Sequence, residues 1–427
     1  MLLGIIADDL TGASDIAGFV AKEGLDVIQF VGVPDSGANY DCDAAVVSLK
    51  SRSVPAKDAV RDSLAAFEWL RDRGCKRFYF KYCSTFDSTP QGNIGPVTDA
   101  LLDALKLDMT VVCPSLPVNG RTVRDGILYV NGTPLAETGM RHHPLNPMTD
   151  SNLVRLMEGQ SRGKAGVVSL AAVDSGPQAV EERLAELRRE GISYAVLDAE
   201  TDSQLLVLAS VLSDAPLLTG GSGLGWAVAR RLASRNSSRM RSAGPAGPVA
   251  GKTIVLSGSC SEMTNRQTAN YRDVAPEFKV DVAECLDNAG AYAAEAAAWV
   301  DEACEALEND GVKCNAPLIN ATVPPDELRT IQETYGAAEA AAAIETFFRI
   351  VAENLLEMGF VNFIVAGGET SGAVAAALGV KAFRIGPQID PGVSWVEALD
   401  RRLGLAMKSG NFGDESFFLK AQAMIHE

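Results

Sequence analysis

Leu2-Leu3-Gly4-Ile5-Ile6-Ala7-Asp8-Asp9-Leu10-Thr11-Gly12-Ala13-Ser14-Asp15 decides how this chain is read. The apolar run over 2–6 has the length and bulk of a buried strand, and Ile16-Ala17-Gly18-Phe19-Val20 continues as a helix. Two adjacent carboxylates therefore stand at the carboxyl end of a strand and ahead of a helix N-terminus, where open α/β sheets bind ligands. Neighbouring carboxylates at a buried strand end must be desolvated and repel one another, so they cost stability. A helix cap needs one short polar side chain. Asp8, Asp9, Thr11 and Asp15 together exceed that need and point to a ligand site.

The same grammar runs along the chain. Apolar runs over 27–30, 44–49, 78–80, 110–113, 167–170, 194–197 and 216–218 alternate with helical patterns such as 59–71 and 181–189. Alternation of this kind predicts parallel sheets with helices on both faces. The Ser-, Arg-, Gly- and Pro-rich stretch 234–251 breaks it and reads as a linker, 241–249, between a domain over 1–240 and another over 250–427. Beyond it, strands are expected at 253–256, 363–366 and 382–385, with Ala-rich helices over 289–307 and 337–356. The predicted fold class is α/β: two domains, each a mainly parallel sheet flanked by helices, with an interdomain cleft.

At 427 residues and 47% hydrophobic content the chain has material for two cores. Its net charge of −17 disfavours nucleic acid and anionic membranes as partners. No apolar run approaches the ~20 residues that span a bilayer. The opening Met1-Leu2-Leu3-Gly4 lacks a basic region and reads as strand, not signal peptide. Eight scattered cysteines without a C-x-x-C pair, and three histidines, argue against zinc and for a reducing cytoplasm.

Glycine-rich turns follow several strands: Thr219 to Gly225, Ser257-Gly258-Ser259-Cys260-Ser261, and Gly367-Gly368-Glu369-Thr370-Ser371-Gly372. Glycines admit close backbone approach, and a helix N-terminus offers free N–H groups, so such turns suit phosphate. No G-x-x-x-x-G-K-[ST] is present, and Gly221, Gly223 and Gly225 miss the dinucleotide spacing by one residue. Lys408-Ser409-Gly410-Asn411-Phe412-Gly413 sets a cation beside a bendable backbone, with a surface hairpin as the plain alternative. Between strands of the first domain, Lys81, Ser84, Thr85, Asp87 and Asn93 form a hydrogen-bonding set suited to a polyhydroxylated acid. Arg121, Arg141 and His143 lie in proline-fixed loops and are candidates to hold an anion.

Taken in order, residues 7–15, 82–95, 120–123, 141–148, 256–261, 367–372, 388–392 and 408–413 resemble the four-carbon acid sugar kinase family across nearly the whole chain. Residues 82–89 and 140–145 look most like its 3-oxo-tetronate branch, with the threonate and erythronate kinases as neighbours. Leu10 departs from an aromatic common at that position. The resemblance implies an N-terminal sugar-acid domain, a C-terminal nucleotide domain and ATP-dependent phosphorylation of a terminal hydroxyl. It implies ATP contacts from Ser259, Gly367, Gly368, Glu369, Thr370 and Gly410.

Phosphoryl transfer needs positioning, charge neutralisation and a carboxylate to orient the attacking hydroxyl. Asp9 is the expected base, with Asp87 and Asp390 as fallbacks. Asp8, Thr11, Asp15, Ser84, Thr85, Asp87 and Asn93 are expected on substrate hydroxyls, and Lys81, Arg121 or His143 on its carboxylate. Mg2+ is expected with ATP, its protein ligands left open. The partners expected are a small sugar acid and ATP, with a homodimer allowed. A haloacid dehalogenase-type phosphatase needs acids two residues apart on one side of the chain, whereas Asp8 and Asp9 point to opposite sides. A non-catalytic sugar-acid and nucleotide sensor is the remaining alternative.

Overall fold

Strands buried on both faces need continuous apolar runs, and the runs named above fall on strands, except that 167–170 leaves its strand at Val168 and Leu170 opens a helix. The computed structural model describes residues 1–35, 40–143, 146–236, 246–309 and 315–425. The chain divides into two compact units, Met1–Ala243 and Gly244–Glu427. Residues 241–245 of the expected linker, and Pro144 and Leu145 of the expected 141–148 motif, lie outside the described residues.

In the first unit, β1 (Leu3–Ala7), β2 (Val27–Val31), β3 (Ala44–Ser48), β4 (Phe78–Lys81) and β5 (Thr110–Cys113) are followed by a small antiparallel sheet. That sheet comprises β6 (Arg121–Arg124), β7 (Ile127–Val130) and β8 (Thr133–Pro134). Then come β9 (Lys164–Val168), β10 (Ile192–Leu197) and β11 (Leu217–Gly220). The main order is β2-β3-β1-β4-β11-β5-β10-β9, and every neighbour is parallel. The chain winds first to one side of β1 and then to the other. The strand order therefore reverses at β1, whose carboxyl end carries Asp8 and Asp9.

In the second unit, β12 (Lys252–Ser257), β13 (Glu277–Lys279), β14 (Leu318–Asn320), β15 (Phe360–Ala366), β16 (Ala382–Asp390), β17 (Val393–Ala398) and β18 (Gly404–Lys408) run in the order β13-β14-β12-β15-β18-β17-β16. The first five are parallel, and β17 is antiparallel to both its neighbours. The sequence reading missed β17. Its apolar residues abut Asp390-Pro391-Gly392, where Gly392 (φ +80°) closes a hairpin between β16 and β17. Trp395 of β17 is fully buried among Tyr271, Ile364, Phe417 and Phe418. The expected helix 289–307 begins earlier, at Val282, and breaks at Asn288, whose side chain accepts from Ala291 N (3.1 Å) and caps the second segment.

Candidate functional site

Asp9 is a helix cap. Its backbone is extended (φ −148°, ψ 164°), and its carboxylate accepts from Gly12 N (3.0 Å) and Thr11 Oγ1 (2.8 Å). Capping does not exhaust the group, because Arg52, which sequence reasoning passed over, binds both acids. Arg52 Nε donates to Asp8 Oδ2 (2.9 Å), and Nη2 donates to Asp8 Oδ1 (2.8 Å) and Asp9 Oδ1 (2.6 Å). Its Nη1 lies 3.7 Å from Asp87 Oδ2. The loop that carries Arg52 follows β3. It is pinned by Ser51 N and Arg52 N on Asp8 O, and by Asn93 Nδ2 donating to Ser51 O (2.7 Å), Arg52 O (3.2 Å) and Val54 O (2.8 Å). Asn93 thus holds the Arg52 loop with its amide hydrogens, so any substrate contact falls to its Oδ1.

Burial raises the Asp8 pKa above the ordinary carboxylate value, and Arg52 only partly offsets it. Burial acts the same way on Asp9, but Arg52, Lys81, Thr11 and Gly12 together outweigh it and leave its pKa lowered. Both Asp9 oxygens accept hydrogen bonds. Three hydrogen bonds and a lowered pKa make this carboxylate a weak proton acceptor, which counts against the expectation that Asp9 is the base. Asp390 is no better placed. It sits at the end of β16 in the second unit, paired with Lys420 (2.6 Å) and accepting from Asp414 N (3.2 Å).

Asp87 is arranged differently. Phe86 and Asp87 both adopt left-handed backbone (φ +62° and +45°), a conformation that costs non-glycine residues energy and persists where surroundings enforce it. Phe86 is the anchor, fully buried with its ring edge-on to Tyr82 (5.6 Å). Asp87 Oδ1 is buried and has no hydrogen-bond partner. His143 Nδ1 lies 3.8 Å from it, too far to bond, and accepts from Asn146 N (3.1 Å), so that nitrogen carries a lone pair.

Asp15 presents a second orphan. Its Oδ2 accepts from Ser222 Oγ, while buried Oδ1 has no partner. Burial pushes its pKa up to about 6, against the opposing pull of Lys81. Lys81 is buried at the end of β4, donates to Tyr82 O (2.9 Å) and reaches Gly12, where a Cβ would stand 3.0 Å from Nζ. Arg121, at the start of β6, bonds Asn119 O through Nη1, and its buried Nε has no partner. Thr85 is buried with Oγ1 3.0 Å from Cys83 Sγ, and Ser84 is half-buried. Arg141 is exposed, and its Nη1 donates to Ala136 O (3.4 Å).

The Asp15 pKa carries a stability consequence. An acid whose pKa is raised on folding loses stability as pH rises from its unfolded value, near 3.8, through its folded value. Asp15→Asn should therefore stabilise the protein by about 2–3 kcal/mol at pH 7.5 and by little at pH 4. Urea unfolding at the two pH values measures the difference; equal gains would contradict the assignment.

The turn over 219–225 is not a phosphate turn. A Cβ at Gly220, Gly221 or Gly223 would meet the carbonyls of Cys113, Pro114 or Ser115 at 2.3, 2.7 and 2.3 Å, so these glycines pack a helix against a neighbouring strand end. The second unit holds the other turns side by side. Ser257 registers with Ala366 across β12 and β15, and Ala366 with Lys408 across β15 and β18. Three adjacent parallel strands thus end level, and Ser259, Gly367 to Thr370 and Gly410 leave from those ends. Gly367 (φ +129°) donates its N–H to Lys408 O (2.9 Å), and a Cβ there would stand 3.3 Å from Ser259 N. A Cβ on Gly410 would meet Ser259 Oγ at 2.5 Å, and one on Gly258 would meet Thr370 Oγ1 at 2.2 Å. Gly368 opens a helix, Gly368–Ala377, with exposed Glu369 in its first turn. Close-packed glycines, hydroxyls and a helix N-terminus are the physical make-up of a phosphate site. Lys408 is fully buried at the end of β18, so the surface-hairpin alternative fails.

Residues 3–228 match a family model described as a sugar-binding N-terminal domain, and residues 254–418 match a nucleotide-binding C-terminal domain. Among curated relatives, the 3-oxo-tetronate kinase of Brucella melitensis is 52% identical over all of this chain and 96% of its own. That of Salmonella typhimurium is 53% identical over 98% of each. A crystal structure of a Salmonella typhimurium LT2 protein, 52% identical, superposes with a TM-score of 0.90 over 99% of this chain and 100% of that one. One from Haemophilus influenzae, 50% identical, gives 0.79 over 99% and 100%.

Proposed function

The chain belongs to the four-carbon acid sugar kinase family, and we propose that it is an ATP-dependent kinase that phosphorylates the terminal C4 hydroxyl of 3-oxo-tetronate. The observation that carries this reading is that three of the buried, unpartnered polar atoms of the first unit, Asp15 Oδ1, Asp87 Oδ1 and Arg121 Nε, belong to charged residues expected at the sugar-acid site. A buried polar atom without a partner costs stability unless a ligand satisfies it. Two carboxylate oxygens suit hydroxyl donors, and Arg121 with Lys81 suits a carboxylate, which is the donor and acceptor pattern of a small hydroxy acid.

In this proposal Asp15 receives a substrate hydroxyl, and Asp87 Oδ1 accepts the proton of the attacking C4 hydroxyl. The alkoxide oxygen bonds to the γ-phosphorus, the bond to the β-phosphate oxygen breaks, and ADP leaves. Asp8, Asp9 and Thr11 fix Arg52, which keeps a positive charge beside Asp87. In the second unit, Ser259, Gly367, Gly368, Thr370 and Gly410 receive the triphosphate. Mg2+ supplied with ATP would neutralise the phosphate charge during transfer. Among the described residues no cluster of three or more His, Cys, Asp or Glu could hold it. Glu369, exposed in the first turn of its helix, is the carboxylate at the turn that would hold the ion. Among the described residues no helix is long and apolar enough to cross a membrane. Use of ATP as phosphoryl donor would place the reaction in the cytoplasm.

The test is ADP release by the full chain with MgATP over a panel of 3-oxo-tetronate, threonate, erythronate and a 4-deoxy analogue. Release is expected with 3-oxo-tetronate and not with the 4-deoxy acid, which lacks the acceptor oxygen. Fastest release with threonate or erythronate would reassign the substrate. Binding without ADP release would turn the reading to a sensor.

A further inference from the structure

Lys408 is a buried cation without a counter-ion. It is fully buried, and among the described residues no carboxylate pairs with it. The acids on the elements around it are engaged elsewhere or exposed. Glu262 and Glu415 pair with Arg266, Asp390 and Asp414 pair with Lys420, and Glu369 is exposed at its helix start. The Phe417 ring lies 5.9 Å from Nζ.

Its surroundings offer Nζ three acceptors. Nζ contacts Ser409 O (3.1 Å), Gly410 O (2.8 Å) and Thr264 Oγ1 (3.0 Å). The carbonyls only accept. The Thr264 hydroxyl can turn its hydrogen to Gly410 O (2.7 Å) and accept from Nζ, so the set offers one acceptor to each hydrogen of the ammonium. Burial works the other way and pushes the Lys408 pKa down to about 7. The group is poised between its two forms, directly behind Gly410 and next in register to Ala366.

We propose that Lys408 is the buried charge of the nucleotide site: a positioning residue that anchors the Gly410 turn and takes up a proton from solvent when the triphosphate arrives. The inference rests on the reading of the second unit as the ATP site. An anion set against the Gly410 turn favours the ammonium, so nucleotide binds the protonated form and protonation follows binding.

Titration calorimetry of the full chain with MgATP, in two buffers of different ionisation enthalpy at each pH (MES and Bis-Tris at pH 6, HEPES and Tris at pH 8), counts the protons exchanged. For the native protein we expect uptake of up to about 0.9 proton per nucleotide at pH 8, and affinity about tenfold weaker at pH 8 than at pH 6. Lys408→Arg, charged at both pH values, should bind with no uptake and no pH dependence. Lys408→Met should bind weakly at both, also without uptake. If Lys408→Met does not fold, as judged by its unfolding transition, the arginine variant decides. Native binding without proton uptake, or uptake that survives in Lys408→Arg, overturns the role of Lys408 while leaving the ATP site standing. Absence of MgATP binding at either pH overturns the nucleotide site and this inference with it.

Discussion

Arg52→Met is expected to abolish turnover and to destabilise the protein by about 3 kcal/mol at pH 8. Arg52 is the cation that bridges Asp8 and Asp9, and its side chain is about four-fifths buried. Its removal leaves two adjacent carboxylates with little compensation, and each then titrates above its unfolded value. Acids of raised pKa cost nothing below the unfolded pKa and exert their full penalty above the folded one, so the loss should be large at pH 8 and small near pH 4. Urea unfolding at both pH values measures it, and Asp8→Asn combined with Arg52→Met should recover part of the loss. A pH-independent loss would mean that Arg52 acts by packing alone.

Asp87→Asn should lower kcat by about 10²–10⁴-fold while leaving KM for ATP nearly unchanged. The amide keeps the shape and the bond-accepting oxygen but takes no proton. Asp9→Asn is the matched comparison. It should keep the helix cap, because Asn caps about as well as Asp, and lower kcat less than Asp87→Asn does. Steady-state kinetics on the two purified variants, with unfolding curves to confirm folding, settles the contrast. If Asp9→Asn gives the larger fall in kcat, the proton goes to Asp9.

The strand–helix alternation was legible because parallel strands are apolar throughout, and the Asp8-Asp9 pair stood out because a single helix cap does not require two acids. Arg52 was not. In Lys50-Ser51-Arg52-Ser53 it looks like a solvated loop charge, and what makes it central is its partners at positions 8, 9 and 87. The three glycine turns looked alike in sequence. Only the carbonyls of residues 113–115 show that Gly220 to Gly223 serve packing, whereas Gly367 and Gly410 flank hydroxyls. Asp9 and Asp87 could not be ranked as bases from residue type, because the ranking depends on which oxygens are already occupied. Strand β17 was hidden by a hairpin turn whose motif drew attention to itself.

The bond between Ser222 and Asp15 joins positions 207 residues apart. Asp15 belongs to the first helix, and Ser222 follows β11, the last strand of its sheet in chain order although it lies in the middle of the sheet. A ribosome that has delivered the first two hundred residues has thus made Asp8, Arg52, Asp87 and Arg121 but left a slot between β4 and β5. Contacts this distant in sequence form late and slowly. Binding competence is therefore a property of the finished sheet, and a refolding chain should regain helical content before it regains affinity for its acid.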